Sequence, residues 1–156
     1  MSDPAFDVIT AIMSTADAFM RESRRLFRPF GITGAQYNVL NLLASAECGR
    51  SQRELSELLV VDRSNVTGLI DRMEEAGWVT RQDDPADRRV YRIVLTKEGR
   101  RLWERVHPRY LDGVAAVTRG LSPKEMKTLI AALRRLEEAA PDWRKKEAPC
   151  AKASAA

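Results

Sequence analysis

Apolar residues recur at three- and four-residue intervals through much of this chain, the spacing that places side chains on one face of a helix. Ile9, Ile12, Met13, Ala16, Phe19, Met20 and Phe27 form the first such stripe. It follows SDPAF, a polar cap with proline in the first turn. The pattern predicts a helix from about Pro4 to Arg28, ended by Pro29 and Gly31. Thr33-Gly-Ala-Gln36 has a hydroxyl at the cap and an amide three residues on, a capping box, and Tyr37, Leu40, Leu43 and Ala44 follow at helical spacing. Gly49 breaks that helix. Ser51-Gln-Arg-Glu54 is a second capping box, opening a short helix with Leu55, Leu58 and Leu59 inward.

A further helix over RSNVTGLIDRMEEAG, with Asp62 as its cap, places Val66, Leu69, Ile70 and Met73 on one face. Ser64, Asn65, Thr67, Gly68, Asp71 and Arg72 fall mainly on the other, and Gly77 supplies the left-handed stop. The period then changes. Residues 78–81 and 90–95 alternate as strands do, with a charged loop between them. Thr96 caps the next helix, where Leu102, Val106, Leu111, Val114 and Val117 form a stripe and Pro108 is expected to cause a kink. Ser122-Pro-Lys-Glu125 combines cap, first-turn proline and third-position glutamate, and Met126, Leu129, Ile130, Leu133 and Leu136 follow as the stripe of a last helix ended by Pro141. Residues 141–156 are expected to be a mobile tail.

The predicted class is mainly α with a small β-wing: a helix-turn-helix followed by a two-stranded ribbon, flanked by N- and C-terminal helices. The expected layout is one domain over 1–156, with a winged helix-turn-helix lobe at 33–99 and outer helices at 4–30 and 100–140.

Composition refines this picture modestly. Of 156 residues, 44% are hydrophobic, enough for a core. No apolar run approaches the ~18 residues of a membrane span, and MSDPAFDVIT lacks the features of a secretory signal. Two cysteines, Cys48 and Cys150, make no disulfide framework, so the expected compartment is the cytoplasm. Net charge is +4, but residues 49–109 carry 13 positive and 11 negative charges, so a nucleic-acid reading rests on individual positions and not on bulk charge. One histidine, no Cys/His metal spacing, no phosphate-cradling glycine loop and no nucleophile arrangement argue against an enzyme, and no cofactor or metal is expected.

The helix over 63–76 has what a major-groove helix needs: an apolar back and a front of small hydrogen-bonding groups. Arg63, Ser64, Asn65, Thr67, Gly68 and Arg72 are the candidate contacts, with Gly68 allowing close backbone approach and Arg72 reaching a phosphate. Ser51 and Gln52, opening the helix before it, are placed to touch the DNA backbone. Alone, such a helix is equally an ordinary amphipathic surface helix. The capped helix before it supplies helix-turn-helix spacing. In the charged loop, Asp87 stands beside Arg88 and Arg89. An arginine at a hairpin tip can enter a narrow minor groove, held by a neighbouring carboxylate. Without that context, the loop reads as a solvated hairpin tip that protects a sheet edge.

Over about residues 5 to 140, and most densely over VDRSNVTGLIDRMEEAGWVTRQDDPADRRVYRIVLTKEGRRL, the sequence resembles the MarR family of bacterial transcriptional regulators. The family's wing motif Asp-x-Arg is matched by Asp87-Arg88-Arg89, and its following Leu-Thr and glycine by Leu95-Thr96 and Gly99. The resemblance implies Arg89 as the minor-groove residue, Asp87 as its support, and Ser64, Asn65, Thr67 and Gly68 on the major-groove face. The charged loop is then expected to be mobile until DNA binds. The resemblance also implies a homodimer joined through both terminal regions, reading a palindromic operator as a ligand-responsive repressor, nucleoid-associated when bound. Long apolar stripes on the first and last helices agree with a twofold partner.

The effector of such proteins is commonly a small aromatic acid or phenol. Phe19, Phe27, Phe30, Tyr37, Trp103 and His107 are the aromatic groups available, but at helical spacing they read more simply as core, so no ligand contact is assigned. Cys48 reads as a small buried apolar residue and Cys150 as exposed and unpaired. Two alternatives stand beside the regulator: an interaction module of the same fold that has lost DNA binding, and a cysteine-based redox-sensing regulator.

Overall fold

The computed structural model describes residues 3–59, 65–84 and 89–140. The chain forms two compact units, Met1–Gly113 and Val114–Ala156.

The first unit opens with α1 (Pro4–Phe27), whose first turn is capped by the Asp3 carboxylate accepting from the Ala5 amide at 2.9 Å. It closes in a single 3-10 turn over Arg28–Phe30, one residue earlier than the apolar spacing implies. Helix α2 (Gly34–Ala44) begins with the predicted capping box: the Gln36 amide donates to Thr33 Oγ1 at 3.2 Å and the Thr33 amide to Gln36 Oε1 at 2.8 Å. Ser51 and Glu54 make the same reciprocal pair at the start of α3 (Gln52–Leu58). Helix α4 (Val66–Glu75) starts after Asn65, which occupies the cap without a side-chain hydrogen bond. The expected cap, Asp62, lies outside the described residues, and the described helix is correspondingly shorter than the predicted one. Gly77, at φ 73, turns the chain out of α4.

The wing strands are β2 (Val79–Asp83) and β3 (Tyr91–Leu95), each beginning one residue later than predicted. They do not form an isolated ribbon. Arg50 and Ser51 form a two-residue strand, β1, paired antiparallel with β3, so the sheet has three strands in the order β1-β3-β2. The segment is too short to show strand periodicity, and its partner lies far along the chain.

Behind the sheet and helices lies a core that includes Phe27, Tyr37, Leu40, Leu55, Val66, Ile70, Met73, Val79, Ile93 and Val106, all at most 2% exposed. Leu58, expected to point inward with Leu55 and Leu59, is 48% exposed. In a seven-residue helix only one narrow stripe reaches the core; Leu55 occupies it, and Leu59, just past the helix end, is buried beyond it. Cys48, expected to be buried, is exposed. It precedes the Gly49 bend, outside the packed part of α2.

Helix α5 (Lys97–Thr118) begins where Thr96 Oγ1 accepts from the Gly99 amide at 3.0 Å, the predicted cap. It is helical through Pro108. Gly99 is demanded by its surroundings: a Cβ there would lie 2.0 Å from the Trp78 carbonyl oxygen. Absence of a side chain lets α5 pass directly over the start of the wing.

The second unit contains α6 (Pro123–Ala139), opened by the Ser122/Glu125 capping box. Its stripe is laid out as predicted, yet no α6 residue is buried, and Leu129, Ile130, Leu133 and Leu136 are all exposed. In the first unit, Phe6, Met13, Phe19 and Met20 of α1 are likewise exposed. Pro141 and the expected mobile tail lie outside the described residues. No helix among the described residues is long and apolar enough to cross a membrane.

Candidate nucleic-acid interface

The back of α4 is anchored by Val66, Leu69, Ile70 and Met73, all buried. Burial of about four such side chains contributes several kcal/mol and leaves the helix one orientation in which to present its other side. That side carries Asn65, Thr67, Asp71 and Arg72, all exposed, with Gly68 between them. A Cβ added at Gly68 would meet Arg72 Nη1 at 3.4 Å and the Asn65 amide oxygen at 3.6 Å, ordinary contacts. The fold therefore does not require glycine at 68. What the missing side chain leaves open is the outer surface of the helix, flanked by an amide and a guanidinium.

Helix α3 is fastened to this surface. The Gln52 side-chain amide donates to Thr67 Oγ1, tying the first residue of α3 to the second of α4. Ser51 is committed to its cap, accepting from the Glu54 amide at 3.2 Å while its own amide donates to Glu54 Oε2 at 2.6 Å. The bonds from the Ser51 amide and hydroxyl hold the Glu54 carboxyl below the usual glutamate range, and Arg92 and Arg50 act in the same direction. Ser51 and Gln52 thus open α3 as partly exposed residues whose hydrogen bonding fixes the shape of the helix pair.

Two arginines that the sequence reading did not single out fasten the wing. Arg81 of β2 reaches the Asp71 and Glu74 carboxylates of α4, and its backbone amide donates to Glu74 Oε1 at 2.9 Å. From β3, Arg92 donates through Nε to Asp84 Oδ2 at 2.7 Å and lies 3.7 Å from Glu54 Oε2. Asp84 is 8% exposed, and its amide donates to the Val90 carbonyl at 3.0 Å, closing the base of the wing. Strand alternation would have placed both arginines on defined faces. Their carboxylate partners on other elements are visible only in three dimensions.

Of the candidate DNA contacts, Ser51, Gln52, Asn65, Thr67, Gly68 and Arg72 come together on this surface. Arg89 is exposed just before β3. Arg63, Ser64, Asp87 and Arg88 lie outside the described residues, as does most of the charged loop expected to be mobile.

The aromatic groups considered for an effector are mostly packed against one another. Tyr37 stacks on Phe27 with ring centres 4.8 Å apart and touches Tyr110 at 4.6 Å, while His107 stacks on Trp103 at 4.6 Å. Burial, reinforced by Tyr110, pushes the Tyr37 phenol well above its ordinary range, and the protonated hydroxyl lies 2.9 Å from His107 Nδ1. The Trp103 indole donates to the Asn41 amide oxygen at 3.2 Å. These are satisfied core contacts. Phe30 is partly buried beneath Arg105, and Phe19 is 48% exposed.

The fold and sequence are similar to those of proteins of known family. Residues 30–90 match the profile of the MarR family. The chain is 31% identical over 125 residues to YkoM of Bacillus subtilis (strain 168), an HTH-type transcriptional regulator, covering 80% of this chain and 78% of that one. It superposes on Sco3205 of Streptomyces coelicolor, a MarR family transcriptional regulator solved in complex with DNA, with a TM-score of 0.76, 27% identity and 89% of each chain covered. CouR of Rhodococcus jostii RHA1, solved bound to p-coumaroyl-CoA, is similar with a TM-score of 0.71 and 28% identity over 89% of this chain and 95% of that one.

Proposed function

The chain belongs to the MarR family of DNA-binding transcriptional regulators, and on that premise we propose how it works. Residues 33–99 form the DNA-reading lobe. Arg63, Ser64, Asn65, Thr67, Gly68 and Arg72 face the major groove, with Ser51 and Gln52 against the phosphate backbone. Arg89, supported by Asp87 and accompanied by Arg88, enters the flanking minor groove. The observation that carries this reading is the surface of α4, whose apolar side is wholly buried while Asn65, Thr67 and Arg72 stand exposed around the open backbone of Gly68.

One such lobe makes few base contacts. Two lobes held about one helical turn apart read a palindrome and combine their affinities. The segments 4–30 and 100–140 supply the dimer contacts, supported by the exposed apolar residues of α1 and α6. The protein acts by binding rather than catalysis, in the cytoplasm, on the nucleoid when DNA is bound. The complex of CouR with p-coumaroyl-CoA supports a small aromatic effector, free or as a thioester, that releases this repressor from its operator. Such a ligand acts through its differential affinity for the two arrangements of the lobes.

The test is a fluorescence-anisotropy titration against the duplex immediately upstream of the chain's own gene, at several salt concentrations. The expected result is saturation at two chains per palindromic site and a preference of ~10³ or more over a scrambled duplex. Arg89→Ala is expected to weaken operator binding with the dimer intact. Equal, weak binding to both duplexes overturns the reading for this site, and unchanged affinity of the Arg89 variant overturns the wing mechanism.

A further inference from the structure

Helix α4 presents an unfavourable charge to DNA. Asp71 lies one turn beyond Thr67 on the presented face and Glu74 a further three residues on, with side chains 50% and 34% exposed. With α4 docked in a groove as proposed above, these two carboxylates would stand within a Debye length of phosphate, where like charges repel.

Both carboxylates converge on one side chain. Arg81 pairs across the sheet with Ile93, which is wholly buried, so both residues lie on the same face of the β2/β3 pair. The Arg81 guanidinium donates through Nη2 to Asp71 Oδ1 at 2.5 Å and through Nη1 to Glu74 Oε2, while its backbone amide holds Glu74 Oε1. The guanidinium fork spans two acidic groups a lysine could serve less well. Its side chain is 25% exposed, less than either partner.

We propose that Arg81 is a positioning residue for operator binding: it offsets part of the acidic charge of Asp71 and Glu74 at the end of α4 and fixes the wing's first strand to it, so that α4 and the wing meet DNA as one surface of reduced negative charge. This deepens the DNA-binding reading above and rests on it.

The test measures operator affinity of wild type, Arg81→Gln and the triple variant Arg81→Gln/Asp71→Asn/Glu74→Gln between 50 and 200 mM salt, roughly the range over which surface electrostatics weaken markedly. Arg81→Gln is expected to bind about tenfold more weakly at low salt, with a deficit that shrinks as salt rises, because the exposed carboxylates are then screened. The triple variant is expected to recover most of the affinity. A deficit independent of salt and unrelieved in the triple variant overturns the proposal, since a purely structural loss behaves that way. Thermal melts establish that the variants are folded. Should Arg81→Gln not fold, Asp71→Asn/Glu74→Gln alone carries the test: it is expected to bind the operator more tightly than wild type at low salt, and unchanged binding overturns the proposal. A wild-type chain with no operator preference overturns the DNA-binding reading and this inference with it. Wild-type preference with an indifferent Arg81→Gln overturns this inference alone.

Discussion

The side-chain amide of Gln52 donates to the Thr67 hydroxyl, joining the first turn of α3 to the front of α4. Both groups lie on the surface read as the DNA interface, so one bond sets the angle between the helices and occupies polar atoms that would otherwise meet solvent. An exposed hydrogen bond of this kind contributes about 0.5–1.5 kcal/mol. Gln52→Ala is expected to lower unfolding free energy by no more than that. It should weaken operator binding severalfold, because the helix pair loses its brace together with the phosphate contact proposed for Gln52. Urea unfolding and anisotropy titration on one preparation check the two effects separately.

Gly68 separates folding from function in the opposite sense. The surface of α4 has room for a methyl group here without a clash, and alanine is about 1 kcal/mol better than glycine within a helix. Gly68→Ala is expected to raise stability by up to about that amount and to reduce operator affinity by about tenfold or more, the methyl group standing where DNA approaches. A variant that is more stable and binds normally would show that α4 does not approach DNA through this residue.

At Gly99 the fold itself is at stake. The Cβ of any other residue would meet the Trp78 carbonyl at 2.0 Å. Relief requires α5 to move off the start of β2, a displacement of the overpacking kind that costs about 1–3 kcal/mol or more. Gly99→Ala is expected to shift the urea midpoint down by the corresponding amount.

Acid should destabilise the chain through Glu54. Hydrogen bonds from the Ser51 amide and hydroxyl, with Arg92 and Arg50 nearby, favour its ionised form in the folded state. Its folded pKa therefore lies below its unfolded value. The associated stability is complete above the unfolded value and is lost as pH falls through the folded one. Glu54→Gln keeps an oxygen acceptor for the Ser51 amide and removes the titration. Its stability is expected to fall less steeply than that of wild type below the ordinary glutamate range, as measured by urea unfolding at a series of acidic pH values.

Much of this molecule could be read along the chain. The capping boxes at Thr33, Ser51 and Ser122 all form, because a hydroxyl and a carboxyl or amide three residues apart meet within a single turn whatever surrounds them. The buried face of α4 follows from helical period alone, and the two wing strands from strand alternation. The left-handed stop at Gly77 is equally local. Tertiary structure decided everything that depends on partners distant in sequence. Arg50 and Ser51 are a strand only because β3 returns beside them. Arg81 and Arg92 become clamps only because the wing folds against α4 and α3. Leu58 and Cys48 are exposed because apolar character states a preference for burial, while the small area each short segment presents to the core determines which residues receive it. Local order is encoded over three or four residues, where chain geometry brings groups together without large entropic cost. Pairings across the fold carry no short-range signal, since only the closed chain brings those groups within reach.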